Sequence, residues 1–345
     1  PRKYILLHLL LTCSTACIIM HIVISRTAIR TYQSRFYCLA SRSISGCFFF
    51  VTTFSFLCAM SNRLRLAIQK GGRLSESTTD LLAACGIKIS KPDRKLRALA
   101  EHFDLEVLFL RDDDIPGYVA DGVADVGIVG ENVILEKGKT VETLDQLGFA
   151  KCRLAIALPR TFSYSSAQDL NDLHIATSYP GLLQHFFDDN GVQATIHEIS
   201  GSVEIAPGIG LADGICDIVS SGSTLISNGL KEVETVLKSQ AVLIASPQLS
   251  EEKKQLLDRL RFRIQSVMKA KQHRYILMNV PNTSLDVVTD ILPGMKAPTV
   301  MPLVKEGWSS VHSVIPEHAF WNVIESLKEA GAEGMLVVPI EKMVL

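Results

Sequence analysis

Apolar residues recur along this chain in short blocks, each closed by glycine or proline and followed by a stretch with helical spacing. Residues 64–68 read as a strand and Gly71-Gly72 as a turn. A helix is expected from about Ser75, with Thr78, Leu81, Leu82 and Cys85 on one face and Gly86 as its stop. Residues 105–110 and 125–130 read as two further buried strands. Asp114-Ile115-Pro116 reads as a helix start, with Asp114 as N-cap and Pro116 in the first turn. The pattern then restarts, with strands at 154–158, 174–177, 194–199 and 218–220. The expected helix ending near Asp189 follows the turn Ser178-Tyr179-Pro180-Gly181, and a strand over 240–245 and a long amphipathic helix over 250–271, capped by Ser250, come next. Short apolar strands alternating with helices predict α/β structure with mainly parallel sheets, and the restart predicts two lobes with a cleft between them.

The last segment has an order of its own. Strands are expected at 275–280, 299–304, 309–314 and 335–339, with helices at 284–292 and 317–330, the second stopped by Gly331. Strand-helix-strand-strand-helix-strand is the ferredoxin-like arrangement, βαββαβ.

The first sixty residues do not follow this pattern. Residues 4–24 are nearly continuously apolar, long enough to span a bilayer, and 47–59 form a second, shorter apolar run. A membrane anchor or signal peptide, an Arg- and Ser-rich transit peptide over 26–45, and upstream sequence translated in error are the competing readings. The last is favoured here: Pro1 opens the chain, the composition changes abruptly, and Met60 stands immediately before the orderly αβ pattern.

Charge divides at the same point. The whole chain carries 35 Lys and Arg against 36 Asp and Glu. Residues 1–60 hold six of those cations and no acid, which leaves the remainder at net −7. That balance argues against a nucleic-acid binder, which needs a basic face. Five of the eight cysteines also lie before Met60; Cys85, Cys152 and Cys216 are far apart and lack metal-ligand spacing, so a reducing, cytoplasmic setting without disulfides is expected.

The stretch Asp213-Gly-Ile-Cys-Asp217-Ile-Val-Ser-Ser-Gly222-Ser-Thr224 carries the most chemistry. An apolar strand end runs into a turn rich in glycine and hydroxyls. Backbone N–H groups there, with Ser220, Ser221, Ser223 and Thr224, are of the kind that surround a phosphate, and an ordinary polar turn is the alternative. Asp213 and Asp217 are neighbours if that piece is helical, and two carboxylates beside a phosphate loop suit Mg²⁺ or a ribose diol. Lys70-Gly71-Gly72-Arg73 precedes a helix, whose positive end and two cations suit a diphosphate; a turn with two solvated cations is the alternative. Arg111-Asp112-Asp113-Asp114, Gly130-Glu131-Asn132 and Thr177-Ser178-Tyr179-Pro180 also fall at strand ends, where open α/β sheets bind ligands. The nine histidines form no HExxH motif and no ligand cluster by spacing.

Together these segments resemble the ATP phosphoribosyltransferases. The match rests on Arg63-Leu-Arg-Leu-Ala-Ile-Gln-Lys-Gly-Gly-Arg-Leu74, on Arg111-Asp-Asp-Asp-Ile-Pro-Gly117 continuing to Gly127-Ile-Val-Gly-Glu-Asn-Val133, and on Ile175-Ala-Thr-Ser-Tyr-Pro180. It continues through Gly201-Ser-Val-Glu-Ile-Ala-Pro207 to Thr224, and the ending Val338-Pro-Ile-Glu-Lys-Met343 resembles the family's long form. The resemblance covers about 61–345 and leaves 1–59 as a non-family extension.

It implies two lobes like type II periplasmic binding proteins: 60–150, completed by about 231–271, and 151–230. A regulatory ferredoxin-like domain over 272–345 would bind histidine as inhibitor. It also implies Mg²⁺ dependence, a homo-oligomer (dimer or hexamer) and no separate regulatory subunit, nucleic acid or membrane partner. The substrates would be ATP and phosphoribosyl pyrophosphate. Residues Ser220, Ser221, Gly222, Ser223 and Thr224 would hold the 5-phosphate, and Asp213 and Asp217 would face the ribose hydroxyls or the metal. Lys70 and Arg73, with Gly71, would face the diphosphate or the ATP phosphates. Arg111, Tyr179 and Glu204 would make further substrate contacts. Where the turn reads Ser221 and Ser223, relatives often have Thr and Ala, exchanges that keep the backbone donors. A solute-binding protein, with two lobes that bind without catalysis, and a purely regulatory subunit are the rival classes.

Overall fold

The computed structural model describes the backbone of residues 4–13, 16–25, 37–38, 63–90, 96–292, 294 and 297–344, and side chains from 63 onward within those ranges. The chain divides into two units, Pro1–Ser61 and Asn62–Leu345. In the first, the backbone of Tyr4–Cys13 pairs antiparallel with Ala16–Ser25. The second apolar run, and Met60 as a start, lie outside the described residues. Among the described residues no helix is long and apolar enough to cross a membrane.

Among its described residues the second unit holds three sheets. In the first lobe, Leu64–Gln69 is central and pairs in parallel with Leu105–Leu110 on one side and Val126–Gly130 on the other. Both faces of these strands are packed: Ala67, Leu108 and Val129 lie in one core and the residues of the opposite face in another, with Arg65 and Glu106 interrupting the apolar run. Leu64, Leu66 and Ile68 are fully buried, as are Leu105, Val107, Val126 and Ile128. Fully burying each such side chain is worth about 1.5–3 kcal/mol. Helix Arg73–Ala84 buries Ser75, Thr78, Leu81 and Leu82, the face its spacing predicts, but starts two residues earlier than expected.

The second lobe repeats the arrangement. His174–Thr177 lies between Thr195–Glu198 and the central strand Gly214–Val219 and pairs in parallel with both. In each lobe the next strand runs antiparallel: Ala241–Ala245 against Val126–Gly130, and Cys152–Pro159 against Gly214–Val219. The sheets are therefore mixed rather than mainly parallel. Strands Arg97–Glu101, Glu142–Gln146 and Leu230–Ser239, which the sequence reading omits, add further antiparallel edges. Their patterns are charged and irregular, and tertiary pairing overrides the weak local signal.

The chain crosses between lobes twice. One crossing lies between Glu142–Gln146 and Cys152–Pro159, where Ala150 adopts φ 50°. The other lies at Ser239-Gln240, because Leu230–Ser239 belongs to the second lobe's sheet. The first lobe is thus resumed about nine residues later than the boundary near 231 expected from sequence.

Helix Glu251–Lys271 packs Leu257, Leu260, Ile264 and Val267 into the first lobe's core. Ser250 is extended at its N-cap but its side chain makes no capping bond; Glu251 and Glu252 supply negative charge to the first turn instead. Asp114 likewise makes no side-chain cap, because a 3-10 turn over Asp112–Asp114 leads directly into the helix Ile115–Ala120. Asp125, buried at the start of Val126–Gly130, accepts from the Lys253 ammonium at 2.8 Å and from the Arg65 backbone and guanidinium. That triad pins the long helix to the sheet.

The last domain has the expected order. Its antiparallel sheet runs Thr299–Pro302, Trp308–Pro316, His273–Pro281, Glu333–Pro339, with helices Leu285–Ile291 and Phe320–Glu329 over a core of Ile276, Met278, Val280, Val311 and Ile315. Placing the first and third strands at the centre is the ferredoxin-like topology.

Candidate functional site

The carboxyl ends of the parallel strands of both lobes gather the sequence-marked segments. Gln69 pairs with Leu110, and Lys70 N–H donates to the Leu110 carbonyl at 2.8 Å, so Lys70 and Arg111 leave the sheet side by side. Gly72 (φ 90°) turns the chain into the helix beginning at Arg73, a conformation that favours glycine. In the second lobe, Ser178-Tyr179 follows His174–Thr177, and Ser220 to Thr224 follows Gly214–Val219. Ligands of open α/β sheets bind at such ends.

The turn after Val219 has the shape its composition suggests. Gly222 sits in the left-handed region (φ 79°) before the short helix Ser223–Ser227. Ser221 Oγ and Ser223 Oγ are 3.1 Å apart, and Ser220, Ser221, Ser223 and Thr224 are exposed. Two arginines frame the turn. Arg73 reaches from the first lobe to donate to Ser220 Oγ at 3.3 Å. Arg153, oriented by two 2.5 Å bonds to Glu232, donates to the Ser220 carbonyl at 3.3 Å. Arg153 escaped the sequence reading, since a lone arginine in an apolar strand has no motif around it.

One expected pair is not brought together. Gly214–Val219 is a strand, so Asp213 and Asp217 are not helical neighbours. At about 3.3 Å per residue they lie about 13 Å apart along it. Asp213 is at the opposite end from the turn, where its carboxylate accepts the His174 N–H at 2.8 Å. Asp217 stays near the turn. It is half-buried and accepts the Ile218 N–H at 2.7 Å. Burial pushes its carboxyl above the ordinary carboxylate value, and the Glu204 carboxylate adds to the rise.

Tyr179 lies between the lobes. Burial raises its phenol, and Asp217 from its own lobe and Asp112 and Asp113 from the first lobe act in the same direction. Its hydroxyl accepts from Asn132 Nδ2 at 3.2 Å. Asn132 is buried and tied to the crossing strand: its N–H donates to Ser239 Oγ at 3.1 Å, and Ser239 O–H donates back to Asn132 Oδ1 at 2.8 Å. Cys152, at the start of the other crossing strand, is half-buried, and burial raises its thiol despite a bond to Ser239 and the nearby charge of Arg73. Among the described residues no group of three or more His, Cys, Asp or Glu forms a metal cage.

Comparison with known proteins bears on this cleft. A family model described as ATP phosphoribosyltransferase matches residues 111–266. A second, described as HisG, C-terminal domain, matches 270–342. The ATP phosphoribosyltransferase of Cytophaga hutchinsonii is 61% identical over 285 residues, which is 83% of this chain and 100% of the relative. That of Phocaeicola vulgatus is 56% identical over 282 residues, 82% of this chain and 100% of the relative. The solved ATP phosphoribosyl transferase (HisG:HisZ) complex from Thermotoga maritima superposes with a TM-score of 0.52 at 28% identity, covering 60% of this chain and 98% of that one.

Proposed function

This chain belongs to the ATP phosphoribosyltransferase family, and from that premise we propose that its interlobe cleft joins N1 of ATP to phosphoribosyl pyrophosphate as the first step of histidine synthesis. The observation that carries the reading is the bond from Arg73 to Ser220 Oγ, which sets a cation of one lobe against the phosphate-type turn of the other.

In the proposed reaction the adenine N1–C1 bond forms as the bond from C1 to the diphosphate breaks, and pyrophosphate leaves. N1 already carries a lone pair, so no strong base is needed. The costly parts are negative charge on the leaving group and positive charge on the sugar. Ser220 to Thr224 hold the 5-phosphate, while Arg73, Lys70 and Arg111 face the departing diphosphate. Asp217 accepts ribose hydroxyls, and Tyr179 and Glu204 line the remaining cleft. Aligning two substrates between closed lobes is worth up to about 7–11 kcal/mol in ideal cases.

The residues fit a magnesium ion that arrives with the diphosphate rather than one caged by protein. Burial first and the Glu204 carboxylate second make an ionised Asp217 costly, and a divalent cation beside it relieves that cost. When bound, it supplies charge neutralisation to the leaving diphosphate.

The proposal extends to regulation and setting. The ferredoxin-like domain binds histidine and lowers the rate; the chain works in the cytoplasm as a dimer or hexamer without a separate regulatory subunit; and residues 1–59 take no part in catalysis. The deciding assay incubates the purified chain with ATP, phosphoribosyl pyrophosphate and Mg²⁺ and follows phosphoribosyl-ATP and pyrophosphate by chromatography. Ligand binding without product would replace this reading with a solute-binding role.

A further inference from the structure

The helix Pro180–Asn190, which carries Tyr179 at its N-cap, receives no cap from its own neighbourhood. Tyr179 makes no side-chain capping bond. The Ser178 hydroxyl is turned away, donating to the Ile199 carbonyl at 2.7 Å. Pro180 has no N–H to satisfy, but those of Gly181 and Leu182 need acceptors. Both are met from the other lobe: Gly181 N–H donates to Glu136 Oε1 and Leu182 N–H to Glu136 Oε2, each at 2.9 Å. One carboxylate thus spans two amides at the positive end of a helix, a charge-assisted pairing.

Glu136 lies on the helix Glu131–Lys137, the same helix whose Asn132 holds the Tyr179 hydroxyl and the crossing-strand Ser239. Two glycines clear the space for these side chains. A Cβ at Gly181 would stand 3.2 and 3.3 Å from the Glu136 carboxylate oxygens, and one at Gly130 would stand 2.5 Å from Asn132 Oδ1. Both close approaches depend on a missing side chain, one on each side of the cleft.

We propose that Glu136 and Asn132 are positioning residues that latch the two lobes: one helix of the first lobe caps the second lobe's helix Pro180–Asn190 and fixes Tyr179 between the lobes before substrate arrives. Opening the cleft returns the Gly181 and Leu182 amides to water, so the latch favours the closed arrangement and binding energy is not diverted to closure. The cost of losing it falls on substrate affinity, since apparent affinity scales with the fraction of molecules in the competent arrangement. The kinetic part of this inference rests on the phosphoribosyl-transfer reading; the structural part does not.

The test compares the full wild-type chain with Glu136→Ala, Glu136→Gln and Gly181→Ala. Amide hydrogen exchange without ligand, resolved to Gly181 and Leu182, should show protection in wild type, loss of it in Glu136→Ala, and partial retention in Glu136→Gln, whose amide oxygen still accepts. Steady-state kinetics should show KM for phosphoribosyl pyrophosphate rising about 5–50-fold in Glu136→Ala with kcat within about twofold, and substantial rescue by Gln. Gly181→Ala gives a readout that helix stability alone would not produce. Alanine is the better helix former, which offsets the weakened cap, so the thermal midpoint should stay near wild type while KM still increases, because the added Cβ pushes the carboxylate back by a few tenths of an ångström. Unprotected amides in wild type, or equal protection in Glu136→Ala, would overturn the latch. So would a fall in kcat at constant KM. Protected wild-type amides in a chain that makes no phosphoribosyl-ATP would leave the latch standing and remove the catalytic reading instead.

Discussion

Arg73 Nη1 donates to Ser220 Oγ at 3.3 Å across residues 147 apart in sequence, and this contact ties the first helix of the first lobe to the phosphate-type turn of the second. Arg73 is exposed and makes no contribution to either core. Its replacement therefore separates catalysis from stability. Arg73→Ala should lower kcat/KM by about 10²–10³, the usual effect of removing one donor to developing negative charge, with a thermal midpoint near wild type. Steady-state kinetics and a melting curve on the same preparation decide it; unchanged kcat/KM removes Arg73 from the mechanism.

Asp217 gives a pH signature. Its folded-state carboxyl titrates above the ordinary 3.8 because of burial, with Glu204 adding to the shift. A carboxyl raised in this way contributes stability below its unfolded value, and that contribution is lost as pH rises through the folded value. Asp217→Asn is neutral throughout. The variant should be more stable than wild type at neutral pH, and the gap should close as pH falls toward 3.8. The same variant should bind phosphoribosyl pyrophosphate about tenfold more weakly at neutral pH, having lost an ionised acceptor for ribose hydroxyls. A stability gap that widens on acidification would show the sign to be wrong.

Asp213 should behave in the opposite way. Its carboxylate serves the His174 N–H at the far end of the strand from the turn. Asp213→Ala should cost about 1 kcal/mol of stability and leave kcat/KM within about twofold. A large loss of activity without loss of stability would return it to the site.

The buried Asp125 holds both Arg65 and Lys253. Asp125→Ala removes the carboxylate that Arg65 and Lys253 share, leaving Arg65 the Gly122 carbonyl, and should destabilise the chain by about 3–5 kcal/mol in denaturant melts, far more than any substitution at the exposed turn. A loss below about 1 kcal/mol would mean that the long helix is held by its apolar face alone.

Histidine regulation is tested on the ferredoxin-like domain. Histidine should slow the full chain, and a chain ending after Lys271 should turn over without responding to it, the coupling being typically about 1–3 kcal/mol. Residual inhibition in the shortened chain would move the histidine site into the lobes.

Much of this was legible from local pattern. The strands His174–Thr177 and Leu105–Leu110 lie at the expected residues because short β-branched and apolar runs bounded by turns admit few other structures. The glycine-hydroxyl turn was readable because glycine at 222 and four hydroxyls around it have a specific backbone meaning. Glu136 was not readable at all. It stands in a helix with ordinary amphipathic sequence, and only its 2.9 Å bonds to amides 45 and 46 residues away give it significance. Arg153 was lost for the same reason.

The amino-acid order alone determined the family, the two α/β lobes and the ferredoxin-like end, because these follow from hydrophobic periodicity and from blocks whose residues are adjacent in sequence. Tertiary structure decided strand direction, the crossing at Ser239 and which carboxylate faces the turn. A four-residue spacing joins Asp213 to Asp217 in a helix and separates them by about 13 Å in a strand. That choice was made by pairing of Gly214–Val219 with His174–Thr177 and Cys152–Pro159, segments distant in sequence, whose hydrogen bonds no local pattern contains.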